Sequence, residues 1–148
     1  MQPINWVRYQ IASLPENVGL ARACAAAFAT QLNCTLEEID EIKLVMSEAV
    51  SNSILHGYEN RRDQAVMIEL AIYPGQVLEL IVEDTGRGIA NVEQALEASF
   101  TTEPDRMGLG FVFIKSFVDS FEVVSEPNRG TRVRMVRSFA SEPKALRA

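Results

Sequence analysis

"SEAVSNSILHG", residues 47–57, carries a carboxylate, an amide and an imidazole at intervals of four, in Glu48, Asn52 and His56. In a helix that spacing lines the three along one stripe. A second rhythm of three and four runs through Ile39, Ile42, Met46, Ala49 and Ser53 as far as Gly57, and Thr35 followed by Glu38 has the spacing of a capping box. The pattern predicts one long helix from just after Thr35 to Gly57. At about 100° of rotation per residue the polar stripe falls beside the buried one rather than opposite it. Glu48 and Asn52 therefore sit at the rim of the core, where a pocket can open, and His56 packs near the helix end as a structural residue.

The segments on either side set the fold class. "INWVRYQIA" (4–12) alternates apolar and polar as a strand does, and "PENVGLARACAAAFATQL" (15–32) reads as an Ala-rich helix opened by Pro15 and Glu16. After the polar turn "YENRRDQ" come two strands, "AVMIELAIY" (65–73) and "VLELIVED" (77–84), joined through "PGQ". From Thr85 to Met107 there is little strand pattern and one short helical candidate, "NVEQALEAS"; so long a connection in a compact domain suits a functional lid. "FVFIKSFVDS" (111–120) then fits a third helix, and "FEVVSE", "PNRG" and "TRVRMVRSF" a closing hairpin. Helices and hairpins are segregated rather than alternating, so the expected architecture is α+β, a two-layer sandwich with three main helices on one face of a mixed, mostly antiparallel sheet. One domain is expected over residues 1–140, with a loose tail over 141–148.

Composition narrows the function. The 148 residues, 47% of them hydrophobic, suffice for one domain with its own core. Twenty acidic against fourteen basic residues give a net charge of −6, which disfavours direct nucleic-acid binding. No apolar run approaches the roughly 20 residues of a membrane span, and "MQPINWVRYQ" lacks a signal-peptide core, so a cytoplasmic protein with Cys24 and Cys34 reduced is expected. There is no G-x-x-x-x-G-K-[ST], no protein-kinase G-x-G-x-x-G or "HRD", and no Cys or His spacing for zinc.

Three stretches remain that can carry chemistry: Glu48 to Asn52, "DTGRG" (84–88) and "MGLG" (107–110) ahead of the third helix. Singly, each has a plain reading, as a half-exposed helix face, a turn at a strand end and a loop before a helix. Together they read differently. Glycines before a helix expose unpaired N–H groups at its positive end, a place for phosphate oxygens. Asn52 offers the hard oxygen that Mg²⁺ accepts beside water and phosphate. Glu48, one turn earlier, is placed to take a proton from an incoming hydroxyl during phosphoryl transfer.

"SEAVSNSILHGYEN", "VEDTGRGI", "FTTEPDRMGLGF" and "NRGTRVRM", in that order, resemble the N, G1, G2 and terminal Gly-Thr boxes of the GHKL (Bergerat) ATPase and kinase superfamily, and most closely its anti-sigma serine kinases. The resemblance covers nearly the whole chain. It implies a protein-serine/threonine kinase that uses ATP, releases ADP and needs Mg²⁺. It implies further that Asp84 accepts from the adenine amino group, that Gly86 and Gly88 let backbone approach the base, and that Thr131 completes the adenine site. Asn52 is implied as Mg²⁺ ligand, Gly108, Leu109 and Gly110 as lid-end phosphate contacts, and Glu48 as general base. Arg106 is a candidate cation for the terminal phosphate, while Thr101 and Thr102 either touch phosphate or cap lid structure. One residue, Asp105, separates Pro104 from Arg106, so the lid is about two residues shorter than the family pattern, and Glu103 stands where a basic residue is common. Arg22 matches a first-helix arginine used on protein partners. Those implied partners are a sporulation-type sigma factor (sigma F type), a STAS-domain anti-anti-sigma protein phosphorylated on serine, and a second copy in a homodimer. The alternatives are a non-catalytic, nucleotide-controlled sigma-binding module, or the catalytic domain of a histidine-kinase-like protein.

Overall fold

The computed structural model describes residues 1–95 and 107–139. Five strands, β1 (Asn5–Ala12), β2 (Ala65–Tyr73), β3 (Val77–Asp84), β4 (Ser120–Glu126) and β5 (Gly130–Ser138), form one sheet in the order β1-β2-β3-β5-β4. The helices are α1 (Val18–Ala29), α2 (Leu36–Asn52), a four-residue α3 (Val92–Ala95) and α4 (Met107–Lys115). Thr101, Thr102 and Arg106, along with the tail 141–148, lie outside the described residues.

Every strand pairing is antiparallel, not mixed as the sequence led us to expect. The reason is topological. Since β5 runs antiparallel to both β3 and β4, those two run the same way, and a direct pairing between them would have been parallel. The closing hairpin instead inserts β5 between them and leaves β4 at the edge. Likewise, α1 and α2 pack as an antiparallel hairpin that returns the chain to the end of the sheet it left, so β2 runs back along β1.

Alternation along the strands decides which face is covered. Val66, Ile68, Leu70 and Ile72 of β2, Leu78, Leu80 and Val82 of β3, and Val133 and Met135 of β5 are all buried in one core with the helices. Ala21, Ala25 and Ala29, four residues apart on α1 and with no exposed surface, let α1 approach α2 closely. Ile42, Val45, Met46, Ala49 and Val50 fill the buried stripe of α2. The opposite sheet face carries polar pairs instead: Arg8 meets Glu69 at 2.8 Å, and Arg134 meets Glu79.

Helix α2 starts where the sequence places it. Thr35 accepts from the Glu38 backbone N–H at 3.1 Å, and the Glu38 carboxylate accepts from the Thr35 N–H at 2.9 Å. Its end departs from expectation. The α-helix stops at Asn52, and Ser53–Gly57 form a π-helical turn closed by Tyr58 N–H to Ser53 C=O at 2.9 Å. Tyr58, with no exposed surface, fixes this widened turn: its hydroxyl donates to Ala65 C=O at 2.6 Å and accepts from Thr85 N–H at 2.8 Å. The α-helical period through residue 57 could not reveal this, because the anchor is tertiary.

Replacing Thr35 with Ala leaves the first N–H groups of α2 without their side-chain acceptor. The expected loss is about 1 kcal/mol, read as a lower urea midpoint at unchanged m-value.

Candidate functional site

The end of β3, the π-helical turn and the helix pair α2–α4 meet in one cleft. Its lining includes Ala49, Asn52, Ser53, His56 and Gly57 from α2 and the turn, Asp84, Gly88 and Ile89 from β3 and its loop, Phe111 from α4, and Thr131 and Val133 from β5.

Asp84 is the last residue of β3, paired with Thr131 of β5, and is 4% exposed. Its carboxylate accepts from Gly86 N–H at 2.9 Å, with Ser53 and Thr131 beside it in the cleft lining. Burial pushes the acid above the usual aspartate range, and the charge of Glu83 adds to the rise, while hydrogen bonding, from Gly86 above all, pulls it part of the way back.

The turn and the loop touch backbone to backbone. A Cβ on Gly86 would run into the carbonyl of Gly57, and a Cβ on Gly57 would sit 2.8 Å from Asp84 Oδ1. Arg87 stitches the contact, its N–H donating to Gly57 C=O at 2.9 Å and its Nε to His56 C=O at 2.7 Å. On the far side the Thr131 hydroxyl is hydrogen-bonded to Ser125 Oγ at 2.8 Å. Ser125 also accepts from Ile89 N–H at 2.7 Å and donates to Gly130 C=O at 3.0 Å.

At the other end of the cleft α4 lies against α2. A Cβ on the buried Gly110 would be 3.0 Å from Glu48 Oε2 and 3.3 Å from Asn52 Nδ2. Glu48 and Asn52 thus converge on one point of α4, with Asn52 in the cleft wall and Glu48 a turn earlier. Asn52 Nδ2 is buried without a hydrogen-bond partner, a donor waiting for an acceptor. Among the described residues no group of three His, Cys, Asp or Glu gathers to hold a metal.

Gly108 and Leu109 stand in the first turn of α4, which starts at Met107; "MGLG" was expected ahead of the helix. Gly110 can be helical here because its packing against α2 holds it, overriding its weak propensity. Arg22 is not brought to the cleft. It is exposed on α1, its Nη1 donating to Ser47 Oγ at 3.4 Å, one residue before Glu48. Sequence reasoning missed Ser53, Tyr58 and Ser125 as builders of the site. For Ser53 a signal existed: a serine on a buried stripe needs a partner.

Fold and cleft define a nucleotide-binding domain. The model of the histidine kinase-like ATPase domain matches residues 11–137, and the chain belongs to that family, within the GHKL superfamily. Among its relatives is the anti-sigma F factor of Clostridium beijerinckii, 45% identical over 137 residues, covering 91% of this chain and 95% of the relative. The anti-sigma F factor of Anoxybacillus flavithermus is 42% identical over 144 residues, covering 96% and 97%. Similar solved structures share the fold at low identity. The histidine kinase domain from the Erythrobacter litoralis EL346 blue-light activated histidine kinase has a TM-score of 0.57 at 19% identity over 86% of this chain and 61% of its own. The mycobacterial sensor histidine kinase MprB has a TM-score of 0.56 at 16% identity over 90% and 100%.

The raised acid of Asp84 makes a stability prediction. Its folded pKa lies above its unfolded value, so the folded state holds the proton more tightly, and the ionised carboxylate opposes folding above that raised pKa. With Asp84→Asn, free of nucleotide, the stability gained over wild type is expected to grow as pH rises from the ordinary aspartate range through the raised pKa, then level off. Urea unfolding across pH checks this; a difference independent of pH refutes it.

Proposed function

We propose that this protein is an anti-sigma factor of the sigma F type that is also an ATP- and Mg²⁺-dependent protein-serine kinase, acting on a STAS-domain anti-anti-sigma partner. The observation that carries the catalytic half is the convergence of Glu48 and Asn52 on Gly110, with the carboxylate and the amide 3.0 and 3.3 Å from the position of a Cβ there. The family and the names of the relatives support the sigma-binding half.

In this reading the Asp84 carboxylate accepts from the adenine amino group, with Gly86 and Gly88 giving the base close access to backbone and Thr131 closing its far side. Asn52 holds Mg²⁺ through its amide oxygen and offers its unpartnered Nδ2 to a phosphate oxygen. Bound Mg²⁺ neutralises charge on the transferring phosphoryl group. The first turn of α4, with Gly108, Leu109 and Gly110, presents backbone N–H groups to the phosphates. Arg106 is the proposed cation for the terminal phosphate, and Thr101 and Thr102 either touch phosphate or cap lid structure. Glu48 takes the proton of the partner's serine hydroxyl as that oxygen attacks the terminal phosphorus and ADP leaves. Arg22, exposed on α1, is the proposed contact to protein partners. A homodimer holding one sigma subunit completes the reading. Among the described residues no helix is long and apolar enough to cross a membrane, which accords with a cytoplasmic setting.

Glu48 separates a kinase from a pure binding module, which has no need of a carboxylate at that point. Glu48→Gln is expected to lower transfer of labelled phosphate to the partner at least about a hundredfold while leaving ATP affinity in place. Unchanged transfer would refute the base. Asn52→Ala is expected to abolish the Mg²⁺-dependent part of ATP binding in calorimetry, and undiminished Mg²⁺ dependence would count against the metal assignment.

A further inference from the structure

Leu44 and Leu55 keep 46% and 47% of their surface exposed, although both stand on the element that carries the cleft, one in α2 and one in its π-helical turn. Their companions on the outer side of α2 are polar: Glu37 and Asp40 are exposed, Lys43 and Ser47 half-buried. A lone exposed leucine needs no explanation. These two bracket the site. Positions 44, 48, 52 and 55 follow one another at four, four and three, the spacing of one helix side. Leu44 therefore lies one turn before the half-buried Glu48, and Leu55 three residues beyond Asn52. At about 1.5 Å of rise per residue they stand roughly 6 and 10 Å from Glu48 along the axis. Arg22 borders the same stripe, since its Nη1 donates to the Oγ of Ser47, between Leu44 and Glu48.

We propose that Leu44 and Leu55 are docking contacts for the protein that presents the phosphoacceptor serine, one on each side of the base. This rests on reading Glu48 as the base for a serine supplied by a partner. A serine Oγ stands only one carbon from its main chain, so the partner's backbone has to come down onto Glu48 for the hydroxyl to meet the carboxylate. A folded surface that close covers more than its serine. A stable interface buries about 800 Å² on each side, a disc of roughly 16 Å radius, and both leucines fall within such a disc centred on Glu48. Expelling water from two half-exposed leucines favours a partner with apolar side chains flanking the serine. Arg22, at the border, favours an acidic group beside them. The nucleotide gains nothing from the pair, because neither leucine lines the described cleft. A sigma subunit delivers no hydroxyl to Glu48 and has no need to cover it, so the stripe suits the phosphoacceptor.

The test is transfer of labelled phosphate from ATP to the purified STAS-domain anti-anti-sigma protein by wild type, Leu44→Gln, Leu55→Gln, the double glutamine variant and the double methionine variant. Glutamine is close to leucine in helix propensity, and both positions are exposed, so an unchanged urea midpoint is expected. Each glutamine should raise KM for the STAS protein about fivefold, and the pair at least about tenfold, with kcat and KM for ATP as in wild type. Methionine at both positions, which keeps the apolar surface, should restore the wild-type KM. Binding of the sigma factor to the double glutamine variant should match wild type. A double glutamine variant with the wild-type KM for the STAS protein, whether or not it loses sigma binding, overturns the inference alone. If wild type transfers no phosphate to the STAS protein, the kinase reading falls, and the inference with it.

Discussion

The cleft depends on one backbone contact, that of Gly57 with the loop after β3. The Gly57 carbonyl lies where a Cβ on Gly86 would be, and the same carbonyl accepts from Arg87 N–H at 2.9 Å. No side chain can come between the two segments. Carbonyls at a helix end need donors, and here the loop supplies them, with Arg87 Nε capping His56 C=O as well. The same contact sets Asp84 against Gly57 and Ser53, so the buried acid and the widened turn of α2 form one unit. Tyr58 locks that unit to β2 and to the loop after β3 through its single hydroxyl.

The topology brings the remaining parts within reach. Inserting β5 beside β3 pairs Thr131 with Asp84 at the last position of the ladder, so two residues far apart in the chain share one wall of the cleft. Placing β4 outside β5 lets Ser125 hold the Thr131 hydroxyl from the edge and Ile89 N–H from the loop. Helix α4 crosses α2 at Gly110, where the missing side chain admits the Glu48 carboxylate and the Asn52 amide together. A methyl group there would press on both polar groups, so the glycine serves close approach within a helix rather than a turn.

Much of this was legible in the chain itself. Period-two alternation located the strands, and the three-and-four rhythm with the Thr35 and Glu38 cap located α2, because both signals come from local geometry and burial. The polar stripe of Glu48 and Asn52 lay at the rim of the core as its phase required. Long-range choices were hidden. Nothing local states that the last hairpin inserts between β3 and β4, that a buried tyrosine widens the end of α2, or that "MGLG" is helical because α2 supports it. Ser53 shows the cost of reading a stripe by periodicity alone: counted with the apolar set, it is buried as that set requires, yet it lines the cleft together with Asp84.

Polar groups in the cleft oppose folding where ligand contacts would favour it. Asp84 is an acid kept from water, and Asn52 Nδ2 is a buried donor with no partner. Each is unfavourable in the empty domain. The alanine face of α1 and the aliphatic wall of β2 and β3, fully buried away from the cleft, offset that cost. A nucleotide that gives Asp84 an amino group and Asn52 an oxygen would relieve both, so its binding would couple directly to stability. The order in the cleft then follows from a division of labour: the alanine-rich half of the sandwich supplies packing, while the glycine-rich half exposes backbone and leaves its polar groups partly unpaired for the ligand.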